Sequence, residues 1–161
     1  MRNGHGGIVL TTILKYRDVH YALHDMRLFI PFIFMLDHKE GINMFYDLDA
    51  WKEGHQLVLE VYNITKDFPK EEQFGVISQV RRAVVSITNN IAEGFGRYHY
   101  NDKIKFYYNS KGSTAEVQNL LIISKDLEYI SSQECKRLGE RSNKVRMLIN
   151  GLIRSIEKQK K

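Results

Sequence analysis

Three cations late in the chain, Arg137, Arg141 and Lys144, step by four and then three residues, which puts them on one flank of a helix. Arg154 and Lys158 follow one turn apart, and Arg97 and Lys103 lie near the middle of the sequence among tyrosines. Guanidinium and ammonium groups repeated along a helix suit phosphate oxygens, so these seven residues are the candidate contacts to RNA or DNA. The segment "GRYHYNDKIKFYY" adds five Tyr or Phe side chains that could stack on bases. In the competing reading Phe106 belongs to the core and the tyrosines line helix boundaries. A basic helix is also commonly no more than a solvated face, and spacing alone does not decide.

A second pattern is polar. At about 100° per residue, Gln79, Arg82, Ser86, Asn90, Glu93 and Arg97 fall on one flank, beside the apolar line of Val80, Val84, Ile87 and Ile91. It can be a solvated face, a hydrogen-bonded contact with another helix or subunit, or a ligand surface. Short Ser and Asn side chains favour contact with a neighbouring backbone over solvation, so the flank is expected to meet another helix.

Other chemistry lacks its parts. "NSKGST" places Gly after Lys, the wrong order for a loop that wraps phosphate in backbone N–H groups. His20 and His24 have metal-ligand spacing, but the general-base Glu of a zinc protease helix and a third ligand are missing. Glu-x-x-His pairs, which a di-iron bundle needs, do not occur. Cys135 lies close to a helix start and reads as a small core or boundary residue. The expectation is a protein that is not an enzyme and uses no metal or cofactor.

The elements that must position these residues are helices. Leu48, Trp51, His55, Val58 and Tyr62 form one stripe and Leu57, Val61, Ile64 and Phe68 another, so a first helix packs on two sides and ends at Phe68-Pro69. A second begins with Pro69 or Lys70 in its first turn, follows Val76, Val80, Val84, Ile87 and Ile91, and stops at Gly94 as a left-handed cap. A third, N-capped by Asn101 or Asp102, buries Phe106, Ser110, Ser113, Val117, Leu120, Leu121 and Ser124, with Gly112 and Ser113 admitting a neighbouring backbone. The fourth starts near Ser131 or Ser132 and carries a heptad-like seam of Leu138, Ser142, Val145, Ile149, Leu152 and Ile156. Nothing alternates with period two. The expected fold is all-α, an up-down-up-down four-helix bundle over 44–161, with an N-terminal extension over 1–43.

With 161 residues and 43% hydrophobic content, one domain with a real core is possible. The single cysteine fits a reducing cytoplasm, and no apolar run approaches the roughly 18 to 20 residues of a membrane helix. Of the net charge of +5, residues 134–161 hold +6, leaving −1 for everything before them. Residues 1–43 differ in character, holding four of the six His and an opening "NGHGG". Lys39-Glu40-Gly41 can be encoded by a purine run of the ribosome-binding type two codons before Met44, which suggests that translation begins at Met44. An added helix or hairpin over "YRDVHYALHDMRLFI" is the competing reading.

"FPKEEQFGVISQVRRAVVSITNNIAEGFGR" followed by "FYYNSKGSTAEVQNLL" resembles the family of four-helix bundle proteins encoded by intervening sequences in bacterial 23S ribosomal RNA genes, the S23 family. That family is similar to the accessory variability determinant of diversity-generating retroelements. The resemblance runs from Leu48 to Glu157 and rests on Arg82, Ser86, Asn90, Glu93, Gly94, Arg97, Gly112, Ser113 and Glu116 in that order. It departs at Asn89 and at "YHY", where small polar residues are usual. The resemblance implies a homopentamer, structural roles for Glu93, Arg97 and Glu116 around the turn between the second and third helices, and, in the retroelement branch, nucleic acid and a reverse transcriptase as partners. Two functions are expected from this: a non-catalytic oligomer binding RNA or DNA, or a scaffold that docks a protein partner and touches nucleic acid only through it.

Overall fold

The computed structural model describes residues 44–159. The readings of residues 1–43, the His20/His24 pair among them, lie outside the described residues, as do Lys160 and Lys161.

Among the described residues, four helices account for the fold: α1 Asp49–Ile64, α2 Val76–Gly96, α3 Tyr100–Asp126 and α4 Ser132–Gln159. Short 3-10 turns, Phe45–Asp47 and Lys70–Phe74, precede α1 and α2. Each helix packs on its chain neighbours, α4 closes back on α1, and the backbones of the diagonal pairs α1/α3 and α2/α4 stay more than 8 Å apart between Cα atoms. This is the up-down-up-down bundle the periodicity predicts. None of these helices is long and apolar enough to cross a membrane.

Of the two stripes on α1, Leu57, Val61, Ile64 and Phe68 enter the core, whereas Trp51, His55 and Val58 stay half-buried and Tyr62 is exposed. The Trp51 and His55 rings stack at 4.9 Å on that outer side. α1 stops at Ile64, short of Phe68, where Thr65 Oγ1 donates to Val61 O at 2.9 Å. Gly54 is the close-approach residue that periodicity does not reveal: a Cβ there would stand 3.2 Å from Thr88 Cγ2 on α2.

The start of α2 is displaced from expectation. Pro69 leads into the 3-10 turn, and α2 begins only after Gly75, where the Glu72 carboxylate accepts the Val76 N–H at 2.9 Å. Glu72 also accepts the Tyr129 hydroxyl at 3.1 Å, and the Tyr129 ring packs on Phe68 at 5.4 Å, so the two turns at this end are tied together.

Gly94 is not a left-handed cap. α2 continues through it to Gly96, and no described glycine has positive φ. Its real constraint is contact with α3: a Cβ on Gly94 would fall 2.7 Å from Tyr107 Cε1. Tyr107 is the aromatic buried there, while Phe106 is only half-buried. α3 starts three residues earlier than a cap at Asp102 requires, and two earlier than one at Asn101, with His99 at the N-cap and Asp102 in the first turn. Ser110, Ser113, Val117, Leu120, Leu121 and Ser124 are buried as expected, joined by Thr114. Ser110 Oγ donates to Ile87 O at 2.8 Å, which satisfies a hydroxyl placed where α2 and α3 lie close. Gly112 does not admit a backbone within this chain: it is exposed, and an added Cβ would meet nothing within 4 Å.

α4 opens on a capping box. Ser131 Oγ accepts the Glu134 N–H at 3.1 Å while the Glu134 carboxylate accepts the Ser131 N–H at 3.0 Å. Those bonds, the backbone one foremost, hold the Glu134 carboxyl below its usual range. The seam is buried as read except near the end, where Ile153 enters the core and Leu152 sits at its edge.

Candidate functional site

Arg137, Arg141 and Lys144 do share one flank of α4, and that flank faces α1. Two glutamates of α1, seven residues apart and so on one face, meet them. Glu60 lies 2.9 Å from Arg137 Nη1 and 3.1 Å from Arg141 Nε; Glu53 lies 2.9 Å from Arg141 Nη1 and 2.6 Å from Lys144 Nζ. The hydrogen bond from Lys144 is the chief cause that brings the Glu53 carboxyl below its ordinary 4.5, against partial desolvation. Three positive and two negative charges therefore form a ladder between helices. Sequence reading missed Glu53 and Glu60; their spacing of seven, matched to a cationic flank on a helix placed beside α1, was the available signal.

The other basic candidates stand elsewhere. Arg154 and Lys158, with Lys136, fall on the outward line of α4, and none has a carboxylate within 4.0 Å among the described residues. Arg97 pairs with Glu93 one turn back, and its guanidinium lies 4.6 Å over the Phe106 ring. Lys103 reaches the Phe95 ring at 5.9 Å. From Arg137 to Arg154 the helix rises about 25 Å, so the seven cations are not one patch.

The polar flank of α2 meets α3. Asn90 Nδ2 donates to Ser86 O at 2.7 Å and to Ser86 Oγ at 3.0 Å, and Ser113 Oγ crosses from α3 to Ser86 Oγ at 3.0 Å. Together with Arg97 on Phe106, these contacts make the stretch a joint between two helices of the same chain. Farther along, Gln79, Arg82, Ser86 and Glu116 line an open cleft of about 370 Å³, with Arg82 and Glu116 exposed and not paired to each other. Among the aromatics of "GRYHYNDKIKFYY", Tyr107 is buried, and desolvation pushes its hydroxyl up to about 12. Tyr108 donates to Glu157 at 3.4 Å, and Tyr98 is 91% exposed.

Fold and surface together define a small all-α bundle whose charged and polar residues are organised along helix faces and open clefts. The chain belongs to the family of 23S rRNA-intervening sequence proteins, whose sequence model matches residues 46–151. Among solved structures it is similar to a protein of unknown function from the S23 ribosomal protein family of Bacteroides thetaiotaomicron VPI-5482, at 19% identity and a TM-score of 0.60, over 65% of this chain and 97% of that one. At that identity the likeness concerns the fold. No curated protein matches the chain.

Proposed function

We propose that the chain is a non-catalytic, cytoplasmic, self-associating bundle that binds RNA or DNA through its basic surfaces. The observation that supports nucleic-acid binding is the division of the cations on α4. Arg137, Arg141 and Lys144 are engaged by Glu53 and Glu60, whereas Lys136, Arg154 and Lys158 face outward without a carboxylate partner among the described residues. Phosphate contacts are thus assigned to the outward line, and the inner ladder is assigned to holding α1 on α4. Self-association, as a pentamer, follows the family resemblance; repetition of one basic line in each subunit would add weak phosphate contacts through multivalency.

Anisotropy titrations of labelled RNA and DNA between about 50 and 200 mM salt test this reading. Binding that weakens with salt, and weakens further in the triple variant Lys136→Glu, Arg154→Glu, Lys158→Glu, is expected. Absence of binding at the low-salt end refutes it and leaves the protein-docking scaffold, for which a partner surviving nuclease treatment in a pull-down is the sign.

A further inference from the structure

The 3-10 turn before α2 exposes an aromatic side chain that the fold itself does not use. Glu72, in the middle of that turn, points toward the Val76 N–H and the Tyr129 hydroxyl. With three residues per turn, Phe74 two positions later projects to another side, where it is 94% exposed. There it borders a groove of about 360 Å³ along the end of α1 and the start of α2, with Ile77 and Val85 as apolar lining.

Two arginines face the same groove, and none of its lining residues is acidic. Arg81 is fixed in place: its Nε donates to Thr65 Oγ1 at 2.8 Å, and its guanidinium lies 4.9 Å over the Tyr62 ring. Thr65 can accept that bond because its own hydroxyl proton is directed at the α1 carbonyls of Val61 and Tyr62. The remaining nitrogens of Arg81, and all those of Arg82, have no carboxylate within 4.0 Å among the described residues. Two guanidiniums without a carboxylate partner among the described residues, lining one groove beside a bare aromatic ring, mark a surface complementary to a flat, anionic ligand.

We propose that this groove seats an unpaired nucleotide of a single-stranded nucleic acid, the base stacked on Phe74 and the phosphate held by Arg81 and Arg82. The volume suits one nucleotide, and a duplex, whose bases already stack on one another, offers no free base face to Phe74. This rests on the nucleic-acid reading above and adds to it a site and a preference for single strands.

The test uses the full chain with a labelled single-stranded oligonucleotide and a duplex of equal length. Phe74→Ala is expected to weaken single-strand binding about tenfold and to leave duplex binding unchanged, while Phe74→Trp retains it. Arg82→Ala is expected to lower the salt slope for the single strand by about one. Photo-crosslinking with a 5-iodouridine oligonucleotide should mark the peptide that carries Phe74. Because Phe74 is almost fully exposed, its replacement does not threaten folding. If wild-type protein binds but Phe74→Ala binds single strands equally well, or loses both ligands alike, the groove assignment fails alone. A lower oligomeric mass for Phe74→Ala overturns it in favour of a contact between copies. If wild-type protein binds neither ligand, this proposal and the nucleic-acid reading fall together.

Discussion

Glu128 has a φ of 62°, in the left-handed region that residues with a Cβ enter at a cost. It occupies the turn after α3, where its N–H donates to Lys125 O at 3.0 Å and the Tyr129 N–H donates to Ser124 O at 2.8 Å. This pair of bonds closes a helix end in the way that usually recruits Gly. Glu128→Gly should therefore raise stability by about 1 kcal/mol, read as a higher urea midpoint at unchanged slope. Gly94 is the opposite case. Adding a methyl group drives it into the Tyr107 ring, and Gly94→Ala should cost about 1–3 kcal/mol in the same measurement. Gly151→Ala, inside α4 with nothing within 4 Å of the added carbon, should gain up to about 1 kcal/mol and serves as the control. The importance of Gly94 was legible in its place at the end of an apolar line, but its reason was not. Phe106 and Tyr107 are adjacent aromatics, and only the packing of α3 on α2 decides which one enters the core.

At the scale of elements, periodicity located the helices because each buries a continuous apolar face, and that information is local. Their ends depended on contacts the pattern does not contain: Thr65 bonding back to Val61, Glu72 reaching forward to Val76, and Tyr129 joining Glu72 from the opposite turn. The α1–α4 ladder was half legible for the same reason. Its cations are regularly spaced, but their partners lie 77 to 91 residues away in sequence. The ladder also makes a pH prediction. Glu53 has its pKa lowered on folding, so the stability it contributes is fully present above the ordinary value of 4.5 and is lost as pH falls through the lower folded value. Urea midpoints should fall as pH drops below about 4.5, and Glu53→Gln should show a shallower acid decline. At neutral pH the same variant should lose about 0.5–1 kcal/mol, small because Arg141 and Lys144 remain partly solvated.

The whole molecule presents one face that an isolated bundle does not explain. α3 buries Val117, Leu120 and Leu121 inward, yet its outward side carries Tyr108, Gly112, Ala115, Asn119, Ile122 and Ile123, with Ile122 50% exposed. Charges stand to the sides of that face at Lys105, Lys111 and Glu116, and Asp126 closes it at the end of the helix. On α4, by contrast, the outward line is charged, with Lys136, Glu140, Arg154 and Lys158, and Met147 is its exposed large apolar residue. A helix with apolar residues on both sides is suited to a second contact, and an outer line free of charge from Tyr108 to Ile123, with a bare glycine, allows close approach by another helix. Gly112, which meets nothing within its own chain, acquires a role there. The outer face of α3 is accordingly the expected contact between copies if the chain assembles as its family resemblance implies. Ile122→Glu places a charge in that face and should convert the oligomer to smaller species in native mass spectrometry. The helical circular dichroism and thermal midpoint of the subunit should change little, because Ile122 lies outside the core. An unchanged oligomeric mass would exclude this face as the contact. Loss of helicity would mean that Ile122 supports the bundle itself, contrary to its exposure.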